Sequence, residues 1–432
     1  MQSDVNRFNV LGDRVISIVS FSESRGGAAK AALKYFIALK ERTVPVQLVV
    51  VEKYSKDSKV VAPGKLIFYV HFLKRILVFF LQNLQKSSNL TKHSTNFFSC
   101  CQVLKNINNS ELVHLNWINN ETIALEKIPS INAKIVITLH DEWFYCGSEH
   151  YSLGSTRFIE GYNVANKNVI GVDLDQLTWA RKERVLNAIR DRVIFTAPSS
   201  WMVSRATESA LLGNFDIRLI PNCLDTELYR PTTNDYLVDY GVSAQNRVIL
   251  FGAVHGKNMY MKGFDLLQEA LRLLAIRLQD KSNIVLVSFG GRAGKNSMDF
   301  GFRHVEIGPV MDASILVQLY SRADFTVVPS LVESFGQVAA ESLACETPVI
   351  AFDYSGLKDI VIHKINGYLA TPYSTESLCE GMLWLLDRDL STLKQLGENG
   401  RRHVIETFSE DIVVEKLLSL YREHAPSSLV FN

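Results

Sequence analysis

Glu333 and Glu341 close the segment ESFGQVAAE, two carboxylates eight positions apart with Gly336 between them. Were both helical, a rise of about 1.5 Å per residue would put their Cα atoms about 12 Å apart. The paired carboxyls of glycoside hydrolases stand roughly 5 to 9.5 Å apart, so the spacing disfavours that device. With Glu333 in a loop, the two could instead bracket an elongated ligand. One end would then be chemistry and the other recognition, for example of a ribose diol. The plainer reading of Glu341 is a solvated helix residue.

The elements that must position the pair are legible around it. A strand-like run, Phe325 to Val328, precedes it, and a second, Pro348 to Phe352, follows. Strand, loop, short helix and strand make one βαβ unit of an open parallel sheet. The helix start offers free N–H groups and a partial positive charge, which suits a phosphate.

Other segments alternate in the same way. Val15–Phe21 reads as a buried first strand, 22–28 as a Gly-containing loop, and Ala29–Leu39 as a helix. Further strands are expected at 46–51, 112–115, 134–139, 193–197 and 217–220, giving a first doubly wound domain. The stretch 228–241 reads as a linker. A second series follows, with strands at 248–251, 284–289, 305–308, 325–328 and 348–352 and helices at 264–278 and 313–320. A last helix is expected at about 411–424.

Composition bounds the function. The 432 residues suffice for two domains, and 47% hydrophobic against 21% charged residues permit real cores. A net charge of +1 gives no nucleic-acid signature. The six cysteines form no CxxC pair, so neither a zinc knuckle nor a redox motif is indicated, and reduced cytosolic thiols are expected. The polar, mixed-charge start, 1–14, does not read as a secretory signal. One stretch, LIFYVHFLKRILVFFL at 66–81, is unusually apolar. It is short for a spanning helix and is interrupted by Lys74 and Arg75. Two readings stand: a helix buried against the sheet, or a basic, apolar face resting on a membrane surface.

The ordered series Tyr320-Ser-Arg-Ala-Asp324, Pro329-Ser330, Glu333-Ser-Phe-Gly336, Thr347-Pro-Val-Ile-Ala351, Gly356-Leu-Lys-Asp-Ile-Val361 and Asn366-Gly-Tyr-Leu369 spans fifty residues. It resembles the E-x7-E signature of the retaining glycosyltransferases of family 4. The resemblance implies the GT-B fold: two Rossmann-like α/β domains, doubly wound, facing a central cleft. The domains would be 1–225, binding acceptor, and 226–410, binding a nucleotide sugar, with a helix from 411 packed back on the first. His140-Asp141-x-Trp143 and Pro198-Ser-Ser-Trp201 are similar to the colanic-acid, O-antigen and capsule type enzymes of that family. Many of those carry several cysteines after the Trp; here only Cys146 stands there, with Glu149 and His150 beyond.

The resemblance also implies roles. Glu341 would hold the ribose of the donor, and Glu333 the donor sugar and its anomeric region. Lys262, with the backbone of Ser334, Phe335, Gly336 and Gln337, would bind the departing diphosphate. Gly26 and Gly27, in a loop lacking the full dinucleotide fingerprint, would lie over the diphosphate or the acceptor. His140, at a strand end, would help hold the donor sugar, and backbone near Val310 would read the base. The family's usual Arg is replaced by Ala253, for which His255 or Lys257 could substitute in charge. No covalent nucleophile is evident, which favours a front-face, oxocarbenium-like route. No cofactor or metal is expected. The pair Asp173-x-Asp175 could hold a divalent ion, but a helix N-cap explains it simply.

The resulting expectation is a retaining hexosyltransferase using a UDP- or GDP-sugar, in bacterial surface polysaccharide synthesis. Its acceptor would be a saccharide or lipid-linked saccharide at the cytoplasmic face of the membrane. A nucleotide-sugar epimerase or hydrolase, and a non-catalytic partner of a glycosyltransferase, are the competing readings.

Overall fold

The structure, a computed structural model, describes residues 15–252, 260–291 and 300–425. It divides into two compact units. The first runs to Ala197, adds Val203–Ile220 and resumes at Val414; the second takes Pro198–Met202 and Pro221–Val413.

Unit 1 reads β1 (Val15–Ser22), α1 (Gly27–Glu41), β2 (Val46–Glu52), β3 (Val60–Val61), α2 (Lys65–Gln82), β4 (Gln85–Lys86), α3 (Cys101–Ile107), β5 (Ser110–Trp117), β6 (Lys134–Thr138), α4 (Arg157–Glu160), β7 (Ile170–Gly171), α5 (Leu174–Ala188), β8 (Val193–Ala197), α6 (Ser200–Glu208, shared with unit 2) and β9 (Ile217–Leu219). Seven strands form one parallel sheet in the order β3-β2-β1-β5-β6-β8-β9. Its central strands are buried residue after residue, as parallel strands covered on both faces must be. β4 and β7 form a separate two-residue antiparallel ribbon.

Unit 2 reads β10 (Arg247–Gly252), α7 (Phe264–Arg277), β11 (Ile284–Phe289), β12 (Arg303–Gly308), α8 (Ala313–Arg322), β13 (Phe325–Val328), α9 (Gln337–Ala344), β14 (Val349–Phe352), β15 (Gly367–Ala370), α10 (Thr375–Leu386) and α11 (Leu390–Phe408). Its six strands are parallel in the order β12-β11-β10-β13-β14-β15. Val248 and Leu250 of β10 join a core with α8 and α9, while Ile249 and Phe251 join another with α7 and α10. That alternation follows the two-residue period of a strand. The stretch read as a linker is part of this unit, because Tyr229, Leu237 and Val242 are buried in the first of those cores.

α12 (Glu410–His424) ends the described chain and enters unit 1 from Val414 onward. There the Tyr421 hydroxyl meets His114 Nδ1 of β5 at 2.6 Å, and His114 Nε2 meets Thr138 Oγ1 of β6 at 2.6 Å.

The apolar stretch 66–81 is a helix, α2, but not a buried one. Among its residues only His71 and Val78 are buried, while Leu66 is 78% exposed and Tyr69 and Phe79 are each 64% exposed. Its cations turn the other way. Lys74 donates to the Ser99 carbonyl at 3.2 Å, and the Arg75 guanidinium lies 4.7 Å over the Phe21 ring. The outward face is therefore apolar rather than basic. Exposed Leu84, Ile170 and Val172, in and beside the β4–β7 ribbon, add to the apolar surface of this unit. Among the described residues no helix is long and apolar enough to cross a membrane.

Counted within each unit, the unit 2 sheet has the strand order 3-2-1-4-5-6 and the unit 1 sheet the order 3-2-1-4-5-6-7, each reversing direction once. The reversal lies between β1 and β5 in unit 1, and between β10 and β13 in unit 2. Ligands of such sheets bind beyond the carboxyl ends of the strands at that switch point.

Candidate functional site

The carboxyl ends of β10 and β13 flank the switch point of unit 2. Past β10, positions 253–259 lie outside the described residues, so Ala253, His255 and Lys257 are not placed. The chain continues in a turn in which Gly263 N–H donates to Tyr260 O at 3.0 Å and Gly263 adopts φ +64°. The glycine is required for space as well as for its dihedral. A Cβ there would stand 1.8 Å from the Pro329 carbonyl oxygen, just past β13. Leu331 N–H donates to Met261 O at 2.9 Å, fastening the two loops together.

That approach sets the ion pair. Lys262 Nζ lies 2.5 Å from Glu333 Oε1, and Ser330 Oγ donates to the same oxygen at 2.9 Å. Glu333 is in the loop, not on the helix. Its backbone is braced from behind by the turn Ser355–Asp359. Glu333 N–H donates to Ser355 Oγ at 3.0 Å, and Gly356 N–H donates to Glu333 O at 2.8 Å. A Cβ on Gly356 would meet Ser334 O at 2.6 Å, so this contact too depends on a glycine. Ser355 is buried and holds φ +59°, a conformation that non-glycine residues rarely adopt.

Gly336 caps α9 with φ +117° and offers no side chain, so the first turn of the helix starts without a side-chain cap. A Cβ there would press on Leu357 Cδ2 at 2.7 Å. Phe335 is buried edge-to-face on Phe408, and Ser334 is also buried, which leaves the segment little freedom.

Glu341 sits on α9 and is 8% exposed, not a solvated surface residue. Gln337 Nε2 donates to its Oε1 at 3.0 Å and Tyr320 Oη donates to its Oε2 at 3.1 Å. Burial, then the Glu341 charge, pushes the Tyr320 and Tyr229 hydroxyls well above their usual pKa, so both stay protonated as donors. A carboxylate offers about four lone-pair sites, more than these donors fill. The Lys262 and Glu333 side chains, by contrast, are 42% and 20% exposed. An ion pair so open to water is worth at most about 1 kcal/mol, and a ligand can exchange it cheaply. Val310 follows β12 and packs half-buried on the core shared with α8.

Lys262, Ser334, Phe335, Gly336, Gln337, Glu333, Glu341 and Val310 thus all belong to unit 2. Gly26, Gly27 and His140 belong to unit 1. Gly26 caps α1 with φ +99°, and neither glycine has a neighbour within 4 Å of a would-be Cβ, so the loop is open there. His140 follows β6, its Nε2 2.9 Å from Asn116 Oδ1; burial lowers its pKa to about 4 and keeps it neutral. Asp173 caps α5, accepting from Gln176 N–H at 2.9 Å, while its carboxylate also pairs with Arg157 at 2.7 Å. Tyr320 and Ser330 stand in the ordered series that carries the resemblance, but nothing there marks a role for either; Ser355 and Tyr229 look like ordinary loop and core residues in the sequence.

Residues 251–403 match the model of a family described as glycosyl transferases group 1. A D-inositol 3-phosphate glycosyltransferase of Jonesia denitrificans is 30% identical over 220 residues, covering 48% of this chain and 51% of its own. An MMP alpha-(1->4)-mannosyltransferase of Mycolicibacterium hassiacum is 26% identical over 265 residues, 58% of this chain and 62% of its own. The chain thus spans about half the length of the curated relatives it matches. Among solved structures, a sucrose-phosphate synthase of Thermosynechococcus elongatus aligns with a TM-score of 0.65 at 20% identity, covering 95% of this chain and 98% of its own. HepE of Anabaena, solved with UDP-glucose, aligns with a TM-score of 0.62 at 17% identity, over 95% and 99%. The fold is GT-B, built of two Rossmann-like units.

Proposed function

We propose that this chain is a retaining glycosyltransferase that moves a sugar from a UDP- or GDP-sugar to a saccharide acceptor. The observation that carries the reading is the Lys262–Glu333 pair at the switch point of unit 2, inside the region that matches the glycosyl transferase family. The pair is a stand-in for the ligand. A donor diphosphate would take Lys262, releasing the Glu333 carboxylate to the sugar hydroxyls and the anomeric region. The amides of Phe335, Gly336 and Gln337, at the uncapped start of α9, would take the remaining phosphate charge. Glu341 would accept the ribose hydroxyls, held for them by Tyr320 and Gln337. Backbone near Val310 would face the base. As the glycosidic bond to the diphosphate breaks, the leaving phosphate oxygen would take the acceptor's proton on the same face of the sugar. Lysine and the helix dipole do here what a divalent ion does elsewhere, so we expect transfer without metal at the diphosphate. Gly26, Gly27 and His140 would contribute from unit 1 to the donor sugar and the acceptor.

The apolar face of α2 supports a lipid-linked acceptor met at the membrane surface, with the protein peripheral on its cytoplasmic side. Inward-turned Lys74 and Arg75 and exposed Tyr69, Phe72, Phe79 and Phe80 fit insertion of rings among acyl chains rather than attraction by charge alone. Surface polysaccharide synthesis is the setting this combination suits. The test is the Glu333→Ala and Lys262→Ala variants, assayed for transfer and for anomeric configuration by NMR. Both are expected to lose turnover at an unchanged melting temperature, and the wild type to give product with the donor's configuration. Wild-type turnover in both variants, or an inverted product, would refute the assignment.

A further inference from the structure

We infer that unit 1 carries a structural site for a divalent transition-metal ion of the zinc class on His93, Glu149 and Asp175. The inference is independent of the proposed transfer, since none of the three has a part in it.

Three separate stretches of chain converge there. His93 and Glu149 face each other across an isolated antiparallel bridge, and Asp175 is the second residue of α5. One ligand atom from each lies within 4.8 Å of the others, and His93 Nδ1 is 3.5 Å from Asp175 Oδ1. Ligands about 2.0 to 2.2 Å from a tetrahedral ion stand roughly 3.4 Å apart, so the His–Asp edge is already set and Glu149 has a short distance to close.

The independent sign of a missing ligand is Glu149. Its side chain is buried, at 4% exposure; Tyr162 donates its hydroxyl to Oε1, and Oε2 has no hydrogen-bond partner. A buried carboxylate oxygen left without a partner is costly, whereas beside a cation it is satisfied. That oxygen is aimed along Asp175. A Cβ on Gly147 would stand 2.6 Å from Glu149 Oε2 and 2.5 Å from Asp175 Cβ, so any larger residue at 147 would fill the space between them.

His93 is oriented as metal-bound histidines are. The Asn89 carbonyl, 3.3 Å from Nε2, can only accept, so Nε2 carries the proton and Nδ1 faces the carboxylates. Ser148 Oγ lies 2.9 Å from that Nδ1 but gives its single proton to Asp175 Oδ1 at 2.5 Å. Two lone pairs then meet unless a cation, a proton or a metal ion, stands at Nδ1. The nearby Arg157 does not fill the place. Its Nη1, which donates to Asn168, stands 3.8 Å from Asp175 Oδ2, and its Nε and Nη2 donate to Asn166 and Asp173. A nitrogen with two carboxylate oxygens suits zinc and its first-row neighbours better than calcium or magnesium. Such an ion would tie the loop at 89–93, the loop at 146–150 and the start of α5 into one piece.

The full chain, stripped with EDTA and dialysed, should be titrated with Co(II) while visible d–d absorption is followed, and its zinc content measured after reloading. One equivalent per chain is expected, with the intensity of a four-coordinate N/O site. The melting temperature should fall on stripping and recover with Zn(II). Glu149→Gln and His93→Gln should abolish both signals. A stripped wild type that takes up no Co(II) or Zn(II) stoichiometrically and melts unchanged would overturn the inference. So would a rise in melting temperature in Glu149→Gln, which would assign a shared proton to the carboxylates. The wild-type titration decides the matter should a variant fail to fold.

Discussion

Gly263 takes no part in the proposed chemistry, yet its replacement should disable the site. With a Cβ 1.8 Å from the Pro329 carbonyl oxygen, Gly263→Ala forces the Lys262 turn and the end of β13 apart by roughly 1.5 Å before an ordinary contact distance is restored. The backbone at φ +64° adds about 1 to 2 kcal/mol of strain for an alanine. The displaced element carries Lys262, whose Nζ is held 2.5 Å from Glu333 Oε1. A misplacement of about 1 Å at a reacting centre costs on the order of 100-fold in rate, or about 2.7 kcal/mol. Gly263→Asn separates the two causes, because asparagine tolerates the left-handed conformation but brings the same Cβ. Steady-state transfer kinetics, run well below each variant's melting temperature, should show kcat/KM down about 100-fold in both variants. Wild-type kcat/KM in Gly263→Asn would show that the close approach does not position Lys262, and the geometric argument would fail.

Stability should fall on mild acidification through buried neutral histidines. Burial lowers the pKa of His71 to about 4 and of His114 to about 3, both below the unfolded value near 6.5. The unfolded chain therefore binds more protons below pH 6.5, and stability present above that pH is lost as pH falls toward the folded values. Each group should cost about 2 kcal/mol between pH 7 and pH 5, so the urea midpoint should drop, and drop less in His114→Gln; an equal drop in that variant would contradict the account. Tyr320→Phe removes a donor to the buried Glu341 carboxylate and should weaken nucleotide binding about 5- to 10-fold by calorimetry, with unaltered affinity as the contrary result. Replacing Phe72, Phe79 and Phe80 by serine should release the protein from anionic vesicles in a flotation assay without lowering its melting temperature; equal flotation of variant and wild type would separate α2 from the membrane.

Unit 2 is the most legible part of the sequence. Its strands are short apolar runs punctuated by Gly and Pro, and β13, the Glu333 loop, α9 and β14 fall where the pattern puts them. The loop position of Glu333 and the capping role of Asp173 follow from local rules of turn and helix-start chemistry. The burial of Glu341 does not, because it depends on Tyr320 and Tyr229 brought in by other elements. The stretch 228–241 looks like a linker for a similar reason: its few apolar residues show no period, and only the fold buries Tyr229 and Leu237. In α2 the composition permits burial or exposure, and the choice rests on what the other elements cover. The His93–Glu149–Asp175 cluster is likewise invisible in a chain whose three members are separated by more than twenty residues at each step.

The central claim is that unit 2 binds a nucleoside diphosphate sugar at Lys262, Glu333 and Glu341. The most direct test is a thermal-shift panel of UDP, GDP and their common hexose conjugates, each against a matched control without nucleotide, with and without EDTA. A ligand at about 100 times its Kd stabilises the native state by about 2.7 kcal/mol. One nucleotide family should raise the melting temperature by the same increment with and without chelator, and that increment should disappear in Lys262→Ala and shrink in Glu341→Ala. No shift with any nucleotide, or a shift undiminished in both variants, would contradict the claim.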